Sequence, residues 1–185
     1  MSPFLSIMTR CYKRPKMLEN NKASVKMQID QDYEQIFIVD EVGYGLGWAN
    51  KQFYQHRDEP VGDYILMLDD DDMLTRTDAT LLLKAATAGD PDIVMCKFDC
   101  GPWGILPTRE MWTIKYPKLT HVGTPCFITR RDVWYENIEA FGAPTAGDFS
   151  FLWSLWPELE SISWLDVVIG KIQQIGQGKP ELEYA

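Results

Sequence analysis

Four consecutive aspartates, Asp69 to Asp72, follow directly on the apolar run Tyr64 to Leu68. Like charges crowded at the end of a buried strand repel one another unless something positive sits with them. A hard divalent cation with oxygen ligands offsets that repulsion and can hold the oxygens of a diphosphate at the same time, so Mg²⁺ or Mn²⁺ is the expected guest. A solvated turn or a helix cap would also use aspartate, but the position at a strand end favours the metal. Other residues that could do chemistry are spaced along the chain. Arg10, Lys13 and Arg14 form a basic turn behind the first apolar run, Asp40 closes the second, and Asp148 follows the loop Gly142 to Gly147.

The elements that must position these residues read as strand, helix, strand, helix, strand. Phe4 to Thr9 is the first strand and Pro15 to Asp30 a helix whose Pro15 suits a first turn. Ile36 to Val39 is the second strand, Trp48 to His56 a helix, and Tyr64 to Leu68 the third strand. Thr77 to Ala88 is a capped helix, and Ile93 to Phe98 the fourth strand. Glycines, prolines and aromatics crowd Gly101 to Leu119, which suits a hairpin or irregular loops. Cys126 to Thr129 reads as a strand, Arg131 to Ile138 and Asp148 to Trp156 as helices, and Ile162 to Ile169 as a last strand, with a helix through Ile175 as the alternative. The alternation predicts an α/β fold with a mostly parallel, Rossmann-like sheet, flanking helices and a small antiparallel element in the second half. Ligands of such sheets gather beyond the carboxyl ends of the strands, where Asp40 and the aspartate run both fall.

Composition narrows the function. The chain has 185 residues, 45% of them hydrophobic, with seven Trp and no internal repeat, so one folded domain is expected. A formal charge of -9 offers no basic footprint for nucleic acid. Cys11, Cys96, Cys100 and Cys126 lack paired metal spacing and suit reduced, buried thiols in a cytoplasmic protein. No apolar run approaches the roughly 18 residues of a membrane span, so membrane contact is expected to be peripheral at most.

Several segments, taken in order, resemble the family 2 glycosyltransferases, which have the GT-A fold. They are FLSIMTRCYKRPKML, IFIVDEVGYGLGWANKQF, GDYILMLDDDDML, VGTPCFITRRDVW and GDFSFLW. The resemblance implies a single domain over 1–185, with a nucleotide-sugar-binding half over 1–100 and an acceptor-binding half over 101–185. It implies that Thr9 and Asp40 hold the nucleoside, and a carboxylate at position 40 can accept from a base N–H or ribose hydroxyls. Arg10, Lys13 and Arg14 would face diphosphate oxygens, with solvated surface roles equally open.

The DxD element aligns with Asp69, Asp70 and Asp71. Asp71 is then the direct metal ligand, Asp69 a contact to ribose or to metal-bound water, Asp70 part of the nucleotide-sugar site, and Asp72 a cap for the next turn. Asp148 aligns with the general base of inverting members, and an N-cap role for it is compatible. Two positions differ from the family: Gly147-Asp148 stands for Glu-Asp, and Gln173 and Gln174 stand where a late histidine often reaches the metal. His121 reads as a hydrogen-bonded loop residue, with the acceptor or diphosphate as the other possibility, and His56 as exposed. Trp103, Trp112, Tyr116 and Trp153 suit either the core or stacking on a sugar ring.

The implied activity is metal-dependent, hexosyltransferase-like transfer from a nucleoside-diphosphate sugar, with UDP slightly preferred, to a carbohydrate or other hydroxyl acceptor, with inversion. A nucleotidyltransferase and a non-catalytic nucleotide-sugar-binding module are the alternatives; the first usually carries a glycine near its basic loop, which Cys11 to Pro15 lacks.

Overall fold

The computed structural model describes residues 2–173. Gln174 and the stretch to Ile175 lie outside the described residues. Eight strands form one sheet: β1 Leu5–Cys11, β2 Tyr33–Val39, β3 Tyr64–Met67, β4 Asp72–Leu74, β5 Ile93–Asp99, β6 Ile105–Leu106, β7 Phe127–Arg130 and β8 Ile162–Ile172. Their order is β2-β1-β3-β7-β5-β8-β4, and β6 pairs with β5 off this path. β2, β1, β3, β5 and β8 run the same way, whereas β7, β4 and β6 run against them. The antiparallel β7 is wedged between β3 and β5, and this lets residues from the second half of the chain enter the middle of the sheet.

Six helices cover the sheet: α1 Pro15–Lys26, α2 Leu46–Gln55, α3 Ala79–Ala86, α4 Arg109–Ile114, α5 Arg131–Asn137 and α6 Gly147–Leu155. The central strands are buried on both faces, which is why they read as continuous apolar runs; every residue of β3 is buried. Phe98, Phe127 and Phe141 are buried in the core, together with Phe151 of α6 and Trp134 of α5. Among the described residues no helix is long and apolar enough to cross a membrane.

Three sequence expectations need correction. The first helix ends at Lys26 rather than Asp30, and beyond its cap the Gln28 side chain donates through Nε2 to the Ser24 and Arg76 carbonyls. The stretch expected to be irregular contains α4, whose start is capped by Thr108 Oγ1 accepting from Met111 N at 3.3 Å. Six residues are too few to show a helical period. The aspartate run itself opens a strand, since Asp72 begins β4 and pairs with Ile172 at the end of β8.

Candidate active site

The site is built where β1, β2, β3, β5 and β8 release their carboxyl ends. The chain turns sharply after β3: Asp72 N donates to Asp69 O at 2.9 Å, and Asp72 Oδ2 accepts from Asp69 N at 3.1 Å. Asp72 thus closes the turn of its own run rather than capping a later one. Asn21 of α1 braces this turn from below, its Nδ2 donating to the carbonyls of Asp69 and Asp72 at 2.9 and 3.0 Å. From the far end of β8, Gln173 N donates to Asp71 O at 2.6 Å, and Gln173 Nε2 donates to the Met17 and Asp70 carbonyls at 3.0 and 3.3 Å. Gln173 therefore clamps the backbone of the turn instead of entering its acidic face.

Asp69, Asp71 and Asp72 bring carboxylate oxygens within 4.8 Å of one another. Asp70 is turned away from them. Its carboxylate is buried, accepts from Tyr12 N at 2.9 Å and pairs with Arg14 Nε at 3.1 Å, so its assignment as a sugar-nucleotide contact gives way to a structural one. Burial pushes Asp70 up to about 7, against the pull of Arg14 and the Tyr12 N–H. Burial also raises Asp71, which Arg14 opposes, and it raises Asp72 well above the usual carboxylate range, helped by the charges of Asp71 and Asp69.

The basic residues meet the aspartates directly. Arg10 donates to Asp69 through Nε at 2.7 Å and Nη2 at 2.5 Å, while Nη1 donates to Asn50 Oδ1 at 2.9 Å. Its guanidinium also lies over the Phe53 ring, 4.5 Å from the centroid. Arg14 is buried and pairs with both Asp70 and Asp71. Both arginines line the cleft, but their guanidiniums are engaged by the acidic run rather than left to face a ligand. Lys13 is exposed, with its ammonium 5.2 Å from the Tyr12 ring centroid.

A cleft of about 490 Å³ opens above the turn. Asp40 lines it, and its Oδ1 accepts from Val42 N at 3.0 Å and Gly43 N at 2.8 Å. Gly43 has φ +76°, and an added Cβ would meet Tyr12 Oη at 2.1 Å, so the Tyr12 ring rests on bare backbone at the cleft wall. Thr9 does not reach the cleft. It is fully buried in β1, where its Oγ1 accepts from Gln35 Nε2 at 3.0 Å, and this corrects its assignment to the nucleoside.

Asp148 also lines the cleft, as the second residue of α6. The N-cap is Ala146, in the left-handed region at φ +51°, so Asp148 is not the cap. Its Oδ1 accepts from Phe149 N at 2.8 Å. Burial pushes its pKa up to about 6, opposed by that N–H and by Arg10. Gly147 cannot carry a side chain here, because a Cβ would lie 2.4 Å from Phe141 O and 2.9 Å from Asn50 Nδ2.

Of the aromatics, Trp103 lines the cleft and is half exposed. Trp112 packs edge-on against Trp164 at 4.9 Å, and Tyr116 packs edge-on against Trp153 at 5.6 Å, both away from the cleft lining. His121 hydrogen-bonds Thr108 Oγ1 through Nδ1 at 2.6 Å, and His56 contacts Glu59 at 2.6 Å. Sequence reasoning missed Asn50, which lines the cleft, and Asn21, which braces the turn. Each is a single polar residue in an otherwise ordinary helix, so nothing local marks it.

Comparison with known proteins supports the architecture. No family model matches the chain, and no curated protein sequence matches it. Solved structures do. S. aureus TarS 1–349 in complex with UDP-GlcNAc superposes with a TM-score of 0.68 at 13% identity, covering 94% of this chain and 60% of that one. Its complex with UDP gives 0.66 at 14%, covering 90% and 59%. The mannosyltransferase PcManGT from Pyrobaculum calidifontis, in complex with GDP-Man and Mn²⁺, gives 0.65 at 12%, covering 96% and 59%. At such identities the likeness defines a shared fold: a mixed α/β domain with a curled, mostly parallel sheet flanked by helices. The chain spans about 60% of the length of these three structures.

Proposed function

We propose that this chain is a metal-dependent glycosyltransferase of GT-A type that moves a sugar from a nucleoside-diphosphate donor to an acceptor hydroxyl with inversion. The observation that carries this reading is the convergence of Asp69, Asp71 and Asp72 at a cleft that Asp148 also lines. The printed ligands of the structural neighbours, UDP, UDP-GlcNAc and GDP-Man, support the donor class, with UDP slightly preferred.

The donor set fits Mn²⁺ or Mg²⁺, because it is all carboxylate oxygen and carries excess negative charge. Four carboxylates meet two guanidiniums at the turn, which leaves two negative charges over when all are ionised. Asp71 would be the principal ligand, with Asp69 and Asp72 beside it. When bound, the ion supplies Lewis-acid stabilisation of the departing nucleoside diphosphate.

The chain's own groups do the rest. Asp40 accepts from the base or ribose, and the Tyr12 ring closes that end of the cleft. Arg10 fixes the direction of the Asp69 carboxylate. Asp148 takes the proton from the acceptor hydroxyl as its oxygen bonds to the anomeric carbon and the bond from that carbon to the diphosphate oxygen breaks. The halves 1–100 and 101–185 divide this labour as donor side and acceptor side.

A thermal-shift panel of UDP and GDP with and without Mn²⁺, paired with release of UDP from UDP-GlcNAc, tests the reading. A melting temperature raised only by nucleotide and Mn²⁺ together, with slow metal-dependent release, is expected. Binding without any turnover would leave a sugar-nucleotide-binding module, and no shift at all would remove the reading.

A further inference from the structure

The geometry points to Asn50 as a positioning residue that holds the Asp148 loop in register with the acidic turn, an inference that rests on the glycosyl-transfer reading. Asn50 lies in α2 and is 3% exposed. Its Oδ1 accepts from Arg10 Nη1 at 2.9 Å, and its Nδ2 donates to Ala143 O at 2.9 Å. Arg10 holds both oxygens of Asp69, so an unbroken run of hydrogen bonds passes from the Asp69 carboxylate through Arg10 and Asn50 to the backbone of the loop that ends at Asp148.

The chemistry at the two ends fixes the residue type. A guanidinium only donates and a carbonyl only accepts, so the group between them must present an acceptor to one and a donor to the other. A primary amide of this length does that in one orientation. Aspartate, nearly the same shape, would set an oxygen against the Ala143 carbonyl and compete with Asp69 for Arg10.

The loop has little freedom to adapt. Gly147 sits so close to Asn50 Nδ2 that a Cβ would lie 2.9 Å from it, and Gly47 of α2 packs on Pro144, with its Cβ position 3.3 Å from the Pro144 Cα. A change at Asn50 is therefore delivered to the segment 143–148 as a whole. On the donor side, Asp40, Asp71 and Tyr12 are not bonded to it, and Asp69 is reached only through Arg10, whose two bonds to that carboxylate use other nitrogens than the one on Asn50. Asn50 acts on catalysis by setting the distance between the donor held at the turn and the carboxylate that receives the acceptor proton.

The test compares wild type, N50D and N50S in Mn²⁺-dependent hydrolysis of UDP-GlcNAc and GDP-mannose, with UDP binding measured separately. N50D reverses the polarity at Ala143, and N50S removes both contacts without adding charge. N50S is expected to lose about tenfold or more in kcat, while donor KM and UDP affinity stay within about threefold, because misplacement of the loop costs rate rather than binding. N50D, which also draws Arg10 from Asp69, is expected to lose at least as much in kcat. Unchanged kcat in folded N50S overturns the inference, and so does a loss of UDP affinity in N50S that matches its loss of rate, since Asn50 would then serve the donor site or the fold at large. Absence of donor turnover in wild type is a different result, which removes the glycosyl-transfer reading instead.

Discussion

Arg10 grips Asp69 through both carboxylate oxygens, at 2.7 and 2.5 Å, from within the strand that runs beside the one ending at the acidic turn. The planar fork of a guanidinium matches a carboxylate in two directions at once, so the orientation of Asp69 is set before any cation arrives. Arg14 pairs with the other half of the turn differently, one nitrogen to Asp70 and one to Asp71, as an ion pair rather than a two-pronged grip on either carboxylate. The acidic run is thus held by two arginines, and a dication has only the remaining charge to balance.

Lysine at position 10 keeps the charge but not the fork. R10K should therefore lose about 1.5–3 kcal/mol of stability in urea unfolding, the range for a hydrogen bond to a charged group. Its metal-dependent donor hydrolysis should fall about tenfold or more in kcat/KM, because Asp69 is no longer aimed. Wild-type hydrolysis in R10K would show that the fork does not matter to the site.

Asp70 and Asp71 are neighbours with opposite expectations. Asp71 belongs to the three-carboxylate group and Asp70 does not. D71N should abolish the rise in melting temperature that Mn²⁺ and UDP produce together. D70N should unfold at a lower temperature than wild type, because it weakens a buried partner of Arg14 and the acceptor for Tyr12 N, yet keep that rise. Equal loss of the metal-linked rise in both variants would mean that the run binds as a whole.

Burial places the Asp148 pKa at about 6, and the direction of its pH effects follows. Only the carboxylate form accepts a proton, so turnover should fall about tenfold per pH unit below that value. Stability moves the other way. A carboxyl raised above its unfolded value of 3.8 is bound more tightly by protons in the fold, so its contribution to stability rises as pH falls from about 6 towards 4. D148N should remove the acid limb of the kcat profile together with most of the rate. A variant that retains both would return Asp148 to a purely structural place in α6.

Much of this was legible in the residue order because apolar runs and acidic ends are local. The strands through β3 and the aspartates that follow them are written within a few consecutive positions. What escaped is non-local. Thr9 sits at a strand end that resembles a binding position, but parallel pairing with β2 brings Gln35 against it and buries it. Asp70 is chemically identical to its neighbours, and only the geometry of a four-residue turn sends it inward. Asn50 reads as one polar residue in a helix, since its two partners lie 40 and 93 positions away.

Gly147 gives the sharpest test of how Asp148 is mounted. Its backbone is not in the left-handed region, so the reason for glycine is space: a Cβ would come within 2.4 Å of the Phe141 carbonyl oxygen. That neighbour is backbone at the end of a 3-10 turn, Ile138–Gly142, which packs against α2 and α6, and it cannot swing aside as a flexible side chain would. The start of α6 must move instead, carrying Asp148 with it. G147A should cost about 1–3 kcal/mol in urea unfolding, as for overpacking elsewhere. It should also lower kcat more than donor KM, because the proposed donor contacts, Asp40 and the acidic turn, lie outside the shifted segment. Equal stability and an unaltered kcat in G147A would mean that the loop yields freely, and that the position of Asp148 is not set by its seat on Phe141 and Asn50.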